Sequence, residues 1–167
     1  EGEPNLKKLY KYQAYIAIRF ISSIPFRNTL ADFMIEDRKG KNYIHIPKKG
    51  NGELIVREHK NAKKMGNVEV KMDRGLTTQM RKFLKFRAQV KIENKFLFNN
   101  LQGNKMSRNG FGKMLIKTTK LLLNKSIGSR LVRVFYATSK KDIIQQAEEV
   151  SNSLLHSAEQ TKLYSRK

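Results

Sequence analysis

Near the N-terminus, the apolar positions follow the period of an amphipathic α-helix. Apolar residues recur every three or four positions with basic residues between them, at Leu9, Tyr12, Ile16 and Phe20. Because that spacing places the apolar side chains on one face, it predicts a helix over residues 6–24. Pro25 ends this helix, since proline has no backbone N–H and clashes with the preceding turn. Residues 27–32 then predict a short second helix.

The pattern next changes to that of β-strands. Three short runs are rich in β-branched and other apolar residues: Tyr43, Ile44 and Ile46; Leu54, Ile55 and Val56; and Val68, Val70 and Met72. The segments between them, residues 48–52 and 61–66, contain the Asn and Gly residues typical of turns. Short strands joined by tight turns pair with their neighbours in sequence, so this region predicts a three-stranded antiparallel meander.

Helical spacing returns in the second half of the chain. A helix is predicted over residues 77–88, with Met80, Phe83 and Leu84 facing inward. Ser107 lies where an N-cap is expected, ahead of inward positions at Phe111, Leu115, Thr119 and Leu122. Ser129 is expected to cap a further helix through Tyr136. A last helix is predicted over residues 141–155 from the apolar stripe Ile143, Ala147, Val150 and Leu154.

These elements together predict an α+β fold, mainly α-helical with a small three-stranded antiparallel sheet after the second helix. A chain of 167 residues can bury a full core, and we expect one domain over residues 1–167.

The net charge of the chain indicates what kind of molecule it binds. The chain has 35 Lys and Arg residues against 14 Asp and Glu, a formal net charge of +21. Such an excess repels itself unless a polyanion neutralises it, so nucleic acid is the expected partner. No apolar run approaches the roughly 18 residues of a membrane span, and we expect no membrane partner. Cys is absent and the three His residues are not at metal-ligand spacing, which excludes a disulfide scaffold and argues against a zinc enzyme.

Four features suit chemistry on a phosphodiester. Arg27 directly follows Pro25 and Phe26, and a cluster of lysines lies in the segment between the second and third strands, at Lys60, Lys63 and Lys64. Arg130 and Arg133 are three residues apart and so share a helix face. His156 is followed eight residues later by Tyr164. Each feature taken singly has a simpler interpretation, as a solvated cation, a packed histidine or a surface tyrosine.

Taken in this order, the set resembles the catalytic domain of the tyrosine recombinase (phage-type integrase) family. The flanking residues extend the likeness: Pro25-Phe26-Arg27-Asn28 with Ala31-Asp32, Asn109-Gly110-Phe111, and Ser129-Arg130-Leu131-Val132-Arg133 through Tyr136. They are most similar to recombinases of large eukaryotic DNA viruses and related mobile elements. The resemblance extends from about Leu6 to Tyr164.

The resemblance implies a catalytic role for several of these residues. Arg27 matches the first arginine of the family and Arg133 the second, which together clamp the scissile phosphate. Lys60 best matches the lysine of the β-hairpin, the general acid, because it follows the second strand; Lys63 or Lys64 are the alternatives.

The remaining catalytic positions lie in the C-terminal part of the chain. His156 matches the histidine ahead of the nucleophile, and Tyr164 matches the nucleophile itself. Arg130 stands where the family commonly has His or Lys. Because guanidinium stays protonated near neutral pH, a phosphate-binding role is expected for Arg130.

The implied activity is cleavage and rejoining of double-stranded DNA through a 3'-phosphotyrosyl intermediate, without a metal or other cofactor. Further protomers are expected on the DNA as a dimer or tetramer, wherever in the cell the target DNA lies. We expect the DNA-clamping domain that precedes this one in the family to lie outside this chain.

The cations expected to hold DNA are Lys63, Lys64, Arg81, Lys82, Lys85 and Arg108. The alternatives are relaxation by a type IB topoisomerase and a non-catalytic basic nucleic-acid-binding protein.

Overall fold

The computed structural model of the protein describes residues 5–59, 62–141 and 145. The described residues form an α+β fold whose elements are α1 (Leu6–Ser23), a 3₁₀-helix (Asn28–Asp32), β1 (Tyr43–His45), β2 (Glu53–Val56), α2 (Ala62–Met65), β3 (Val68–Lys71), α3 (Arg74–Ala88), α4 (Arg108–Leu123) and α5 (Ser129–Ser139). The predicted class, mainly helical with one small antiparallel sheet, is confirmed. The chain divides into two compact units, residues 1–132 and 133–167, and the boundary falls within α5.

Helix α1 forms the centre of the core in the first unit. Asn5 caps its first turn, accepting a hydrogen bond from the backbone N–H of Lys8 at 3.0 Å. The predicted apolar stripe is buried at Leu9, Ile16 and Phe20, while the ring of Tyr12 is half-buried. The Tyr12 ring packs edge-on against Phe83 of α3, with the ring centroids 5.5 Å apart. The amphipathic pattern of residues 6–24 therefore does build the core, as predicted.

The sheet is the predicted meander, with strand order β1-β2-β3 and antiparallel pairing throughout. Leu54 at its centre pairs with Ile44 on one side and Val70 on the other. Ile44 and Leu54 are buried, so this face of the sheet joins the core. The connection between β2 and β3 differs from the plain turn expected over residues 61–66, because Ala62–Met65 forms one helical turn, α2.

Side-chain caps set the starts of α3 and α4. Asp73 accepts from the backbone N–H of Leu76 at 2.7 Å, so α3 begins at Arg74, three residues before the predicted start. Ser107 accepts from Gly110 N–H at 2.9 Å, which confirms the predicted cap of α4. The inward position predicted for Leu122 is wrong, since its side chain is 66% exposed. Thr119 is the last buried residue of α4, and the final turn continues beyond the core.

The predicted helix after Gly128 is present as α5, but the cap predicted at Ser129 is wrong. Ser129 is the first residue of the helix, and its hydroxyl donates to Asn28 instead of accepting from the first turn. The helix continues to Ser139, three residues beyond the predicted end. Of the predicted helix over residues 141–155, the structure describes only Lys141 and Gln145, both helical. The apolar stripe from Ile143 to Leu154 lies outside the described residues.

Buried polar side chains join segments that are distant in sequence. Gln13 on α1 donates from Nε2 to the carbonyl of Asn99 and accepts from Asn99 N–H at 3.1 Å, so the two exchange hydrogen bonds like paired strands. Arg87 on α3 is 5% exposed, and its Nη2 donates to the carbonyls of Asn94 at 2.6 Å and Phe96 at 3.1 Å. Burial lowers the pKa of the Arg87 guanidinium because it disfavours the charged form.

Asp32, at the end of the 3₁₀-helix, binds two cations that flank the start of α4. Its Oδ1 pairs with Lys105 Nζ and its Oδ2 with Arg108 Nε, each at 2.5 Å. Partial burial tends to raise the pKa of this carboxyl, but the hydrogen bonds from Lys105 and Arg108 outweigh it and hold the pKa below its usual value. The interaction ties the 3₁₀-helix to α4 through charge.

Arg87→Met is expected to lower the free energy of unfolding by about 2 kcal/mol, because the carbonyls of Asn94 and Phe96 lose their buried donor. Urea unfolding followed by circular dichroism measures the change. Lys85→Met is the matched control, since Lys85 is an exposed residue of the same helix; its effect should stay within about 0.5 kcal/mol. Equal losses in the two variants would contradict a bonding role for the buried guanidinium.

Asp32→Asn is expected to destabilise the fold by about 1 kcal/mol at neutral pH. The folded-state pKa of Asp32 is lowered, so its stabilisation is complete above the unfolded-state value of about 3.9 and is lost as pH falls through the folded-state pKa. The difference between wild type and variant should therefore shrink below about pH 4 in urea titrations at a series of pH values. Glu93→Gln is the control, because Glu93 is exposed and has no ion pair with another described residue. A difference that stayed constant down to low pH would exclude the charge of Asp32 as its cause.

Candidate nucleic-acid-processing site

Arg27 lies in the sharp connection between α1 and the 3₁₀-helix. Its backbone carbonyl accepts from Leu30 N–H at 3.0 Å, so Arg27 is the N-cap residue of the 3₁₀-helix, and its side chain is exposed. Phe26 packs edge-on against the buried Phe33, with centroids 5.4 Å apart. The neighbours of Arg27 thus anchor the backbone to the core and leave the guanidinium facing solvent.

A hydrogen bond links this connection to the start of α5. The hydroxyl of Ser129 donates to Oδ1 of Asn28 at 2.7 Å, across 101 positions of sequence. Asn28 directly follows Arg27, and Ser129 directly precedes Arg130. The structure therefore brings together the two segments of the first unit that carry predicted phosphate-binding arginines.

Helix α4 presses against the same hydrogen bond through a glycine. A Cβ at Gly112 would lie 2.7 Å from Nδ2 of Asn28, closer than carbon and nitrogen can approach without a bond. A side chain there would push the Asn28 amide away from Ser129. The start of α5 also lies against α4, since a Cβ at Gly128 would be 3.6 Å from Cγ1 of Ile116.

The two arginines of α5 differ in their surroundings. Arg130 is exposed, while Arg133 is half-buried and belongs to the unit of residues 133–167. The Nε of Arg133 is buried and has no hydrogen-bond partner among the described residues.

The lysine-rich segment between β2 and β3 is closed by a histidine. His59 donates from Nε2 to the carbonyl of Gly66 at 2.9 Å, across the base of the connection. Lys63 and Lys64 are exposed on α2 inside it. Lys60 lies outside the described residues, so the structure leaves the choice among these three lysines open. His156 and Tyr164 also lie outside the described residues.

Two of the cations expected to hold DNA have internal partners that sequence analysis missed. Arg81 is half-buried, and its Nη2 donates to the carbonyls of Pro47 at 2.8 Å and Gly50 at 2.6 Å, holding the β1–β2 turn against α3. Arg108 is exposed but shares the carboxylate of Asp32. Lys82 and Lys85 are exposed on α3. Arg81 is therefore a structural residue of the hairpin in this fold.

Charge is distributed unevenly between elements. Helices α1, α3 and α4 contain four, five and four Lys and Arg residues respectively, and no Asp or Glu. The acidic side chains that follow the 3₁₀-helix are engaged with cations close by: Glu36 binds Arg38, and Asp37 binds Arg57. The excess positive charge of the described residues thus lies largely on the helices.

The sequence pattern does not show that Asn28, Ser129 and Gly112 meet in one contact. Ser129 and Asn28 are 101 positions apart, and no local pattern pairs them. Gly112 did offer a signal, because glycine inside a helix costs about 1 kcal/mol relative to alanine and often marks a close approach.

The described residues contain no group of three or more His, Asp or Glu side chains arranged to hold a metal ion.

None of the helices among the described residues is both long enough and apolar enough to span a membrane.

Comparison of the chain with family models, with curated proteins and with solved structures finds no match.

Proposed function

We propose that this chain is a tyrosine recombinase catalytic domain that cuts and rejoins double-stranded DNA through Tyr164. The observation that carries the proposal is the hydrogen bond between Ser129 and Asn28, 2.7 Å long. It joins the segments of Arg27 and Arg130, which the family resemblance assigns to one phosphate. Two separate surface cations of a merely basic protein have no need of such a link.

The chemistry of the proposed reaction explains the need for arginine. A phosphodiester is anionic, and attack on phosphorus adds charge to its non-bridging oxygens. Guanidinium groups donate paired hydrogen bonds to such oxygens and stabilise the more charged transition state. Arg27 and Arg133 supply this clamp, and Arg130 adds a third cation. These arginines also favour the phenolate of Tyr164, whose ordinary pKa of about 10 makes the phenol a weak nucleophile.

The steps balance without a cofactor. The Tyr164 oxygen bonds to phosphorus, the bond from phosphorus to the 5'-oxygen breaks, and a 3'-phosphotyrosyl link remains. The departing oxygen takes a proton from Lys60, with Lys63 and Lys64 as the alternative donors. His156 hydrogen-bonds the phosphate or helps to remove the phenol proton. Rejoining is the reverse reaction, so the energy of the broken bond is retained in the intermediate.

A non-catalytic nucleic-acid-binding protein is the second candidate. The acid-free helices α1, α3 and α4 favour it, because their cations would hold a polyanion without any reaction. A topoisomerase of type IB would share the proposed nucleophile and differ in relaxing supercoils. The presence or absence of a covalent intermediate separates the binding protein from both enzymes.

Wild-type protein is expected to form a covalent adduct with a nicked suicide duplex, from which the cut strand cannot be rejoined. Tyr164→Phe should form none, because the attacking oxygen is missing. Denaturing electrophoresis of labelled DNA measures the adduct. Tyr136→Phe is the matched control, since Tyr136 is an exposed tyrosine of α5 and should leave the adduct unchanged. Duplex binding by the wild type without any adduct would refute the recombinase proposal in favour of the binding protein.

Arg27→Ala is expected to slow single-turnover cleavage by about 10²-fold or more, because one pair of donors to the transition state is lost. The Kd for duplex DNA should rise by less than about tenfold, since Arg27 is one phosphate contact among several. Arg38→Ala is the control: it also removes an exposed arginine, but one already paired with Glu36. If binding fell in parallel with cleavage, the role of Arg27 in the transition state would be wrong.

A further inference from the structure

The exposed face of α4 carries a lysine stripe, made of Lys113, Lys117 and Lys120. All three side chains are exposed, at positions i, i+4 and i+7 of one helix face. Seven residues of helix rise about 10 Å, so the stripe is about that long. The opposite face of α4 is fixed in the core by Phe111 and Leu115, both fully buried. The stripe is therefore held on a rigid element.

The lysine stripe has no carboxylate to neutralise it. Helix α4 contains no Asp or Glu, and none of the three lysines forms an ion pair with a described acid. Like charges four residues apart on one helix face repel each other and destabilise the helix. An anionic ligand along this face would convert that repulsion into attraction. The pattern thus fits a surface that is occupied in the functional state.

The stripe also lies beside the candidate site. Gly112, which contacts Asn28, immediately precedes Lys113, and Ile116, which contacts the backbone at Gly128, immediately precedes Lys117. The side of α4 next to the stripe therefore packs against the segments of Arg27 and Arg130. The lysine stripe thus lies on the helix that packs against both arginine segments.

We infer that the lysine stripe of α4 binds the phosphate backbone of duplex DNA that flanks the cleavage point. The inference rests on the proposed function for the choice of DNA as the partner, but it does not require the cleavage reaction. Duplex DNA carries one charge per about 3.4 Å of axis on each strand, so about three phosphates of one strand lie along a stripe of about 10 Å. That density is enough for each lysine to meet a separate phosphate.

An anionic membrane fits the stripe less well than DNA does. A helix that lies on a membrane inserts an apolar face opposite its cations. In α4 the face opposite the stripe is occupied by the protein core through Phe111, Met114 and Leu115, and the exposed leucines at 121–123 belong only to its last turn. Binding to acidic vesicles is therefore measured in the test as the alternative to binding of DNA.

The test measures the Kd of the full chain for a 20-bp DNA duplex, about two helical turns, over a series of salt concentrations. The variant K113Q/K117Q/K120Q should bind more weakly, and the slope of log Kd against log salt should fall by about 2 to 3, near 0.9 for each lost phosphate contact. The matched control is K39Q/K41Q/K95Q, which removes the same charge from exposed lysines, two of them already paired with Glu58 and Glu36. Its slope should stay close to that of the wild type.

Equal slopes for the wild type and the stripe variant, or an equal fall in the control, would overturn the inference. So would a wild type that does not bind the duplex, or stripe-dependent binding to phosphatidylserine vesicles or to an RNA duplex but not to DNA. The suicide-substrate assay separates this inference from the proposed function. An adduct with an unchanged slope in the stripe variant rejects the stripe alone, whereas a stripe-dependent slope without any adduct rejects the recombinase alone.

Discussion

The contact on which the candidate site depends is the hydrogen bond between the side chains of Ser129 and Asn28. It connects the turn after α1 to the first residue of α5, and α4 lies against it at Gly112, where a Cβ would come within 2.7 Å of the Asn28 amide and displace it. Three elements thus meet at one amide group. Because Arg27 and Arg130 each lie next to a partner in this bond, the placement of their backbones follows from it.

The many Lys and Arg side chains of this protein repel one another, and the folded state has to offset that repulsion. In the described residues, the fold does so by local neutralisation: Asp32 is shared by Lys105 and Arg108, and Asp37 binds Arg57. Arg81 and Arg87 instead donate to backbone carbonyls, which makes these cations part of the framework. The cations left without such partners, including the lysine stripe of α4, are the ones available to an external polyanion.

Much of the architecture could be predicted because its causes are local. The stripe from Leu9 to Phe20 and the cap at Ser107 involve residues only three or four positions apart, and both are confirmed. A prediction of burial is wrong where the helical spacing of apolar residues continues past the end of the core. Leu122 keeps the helical spacing of Phe111 and Leu115, yet the core ends at Thr119, so its side chain is exposed. The spacing of apolar residues predicts which face of a helix is apolar, but it does not predict how much of that face the rest of the protein covers.

By itself, the sequence determined the three strands, the meander of the sheet, every named helix except the single turn α2, and the excess of positive charge. These follow from spacing, turn residues and composition, which need no knowledge of distant parts of the chain. Only the tertiary structure decided which cations are engaged internally and which segments meet. Gln13 forms hydrogen bonds with Asn99, 86 positions away, and Asn28 accepts a hydrogen bond from Ser129, 101 positions away. Such pairs form when burial of the aromatic core brings distant segments within hydrogen-bonding distance. Nothing in the sequence near each polar residue indicates which distant residue will be its partner.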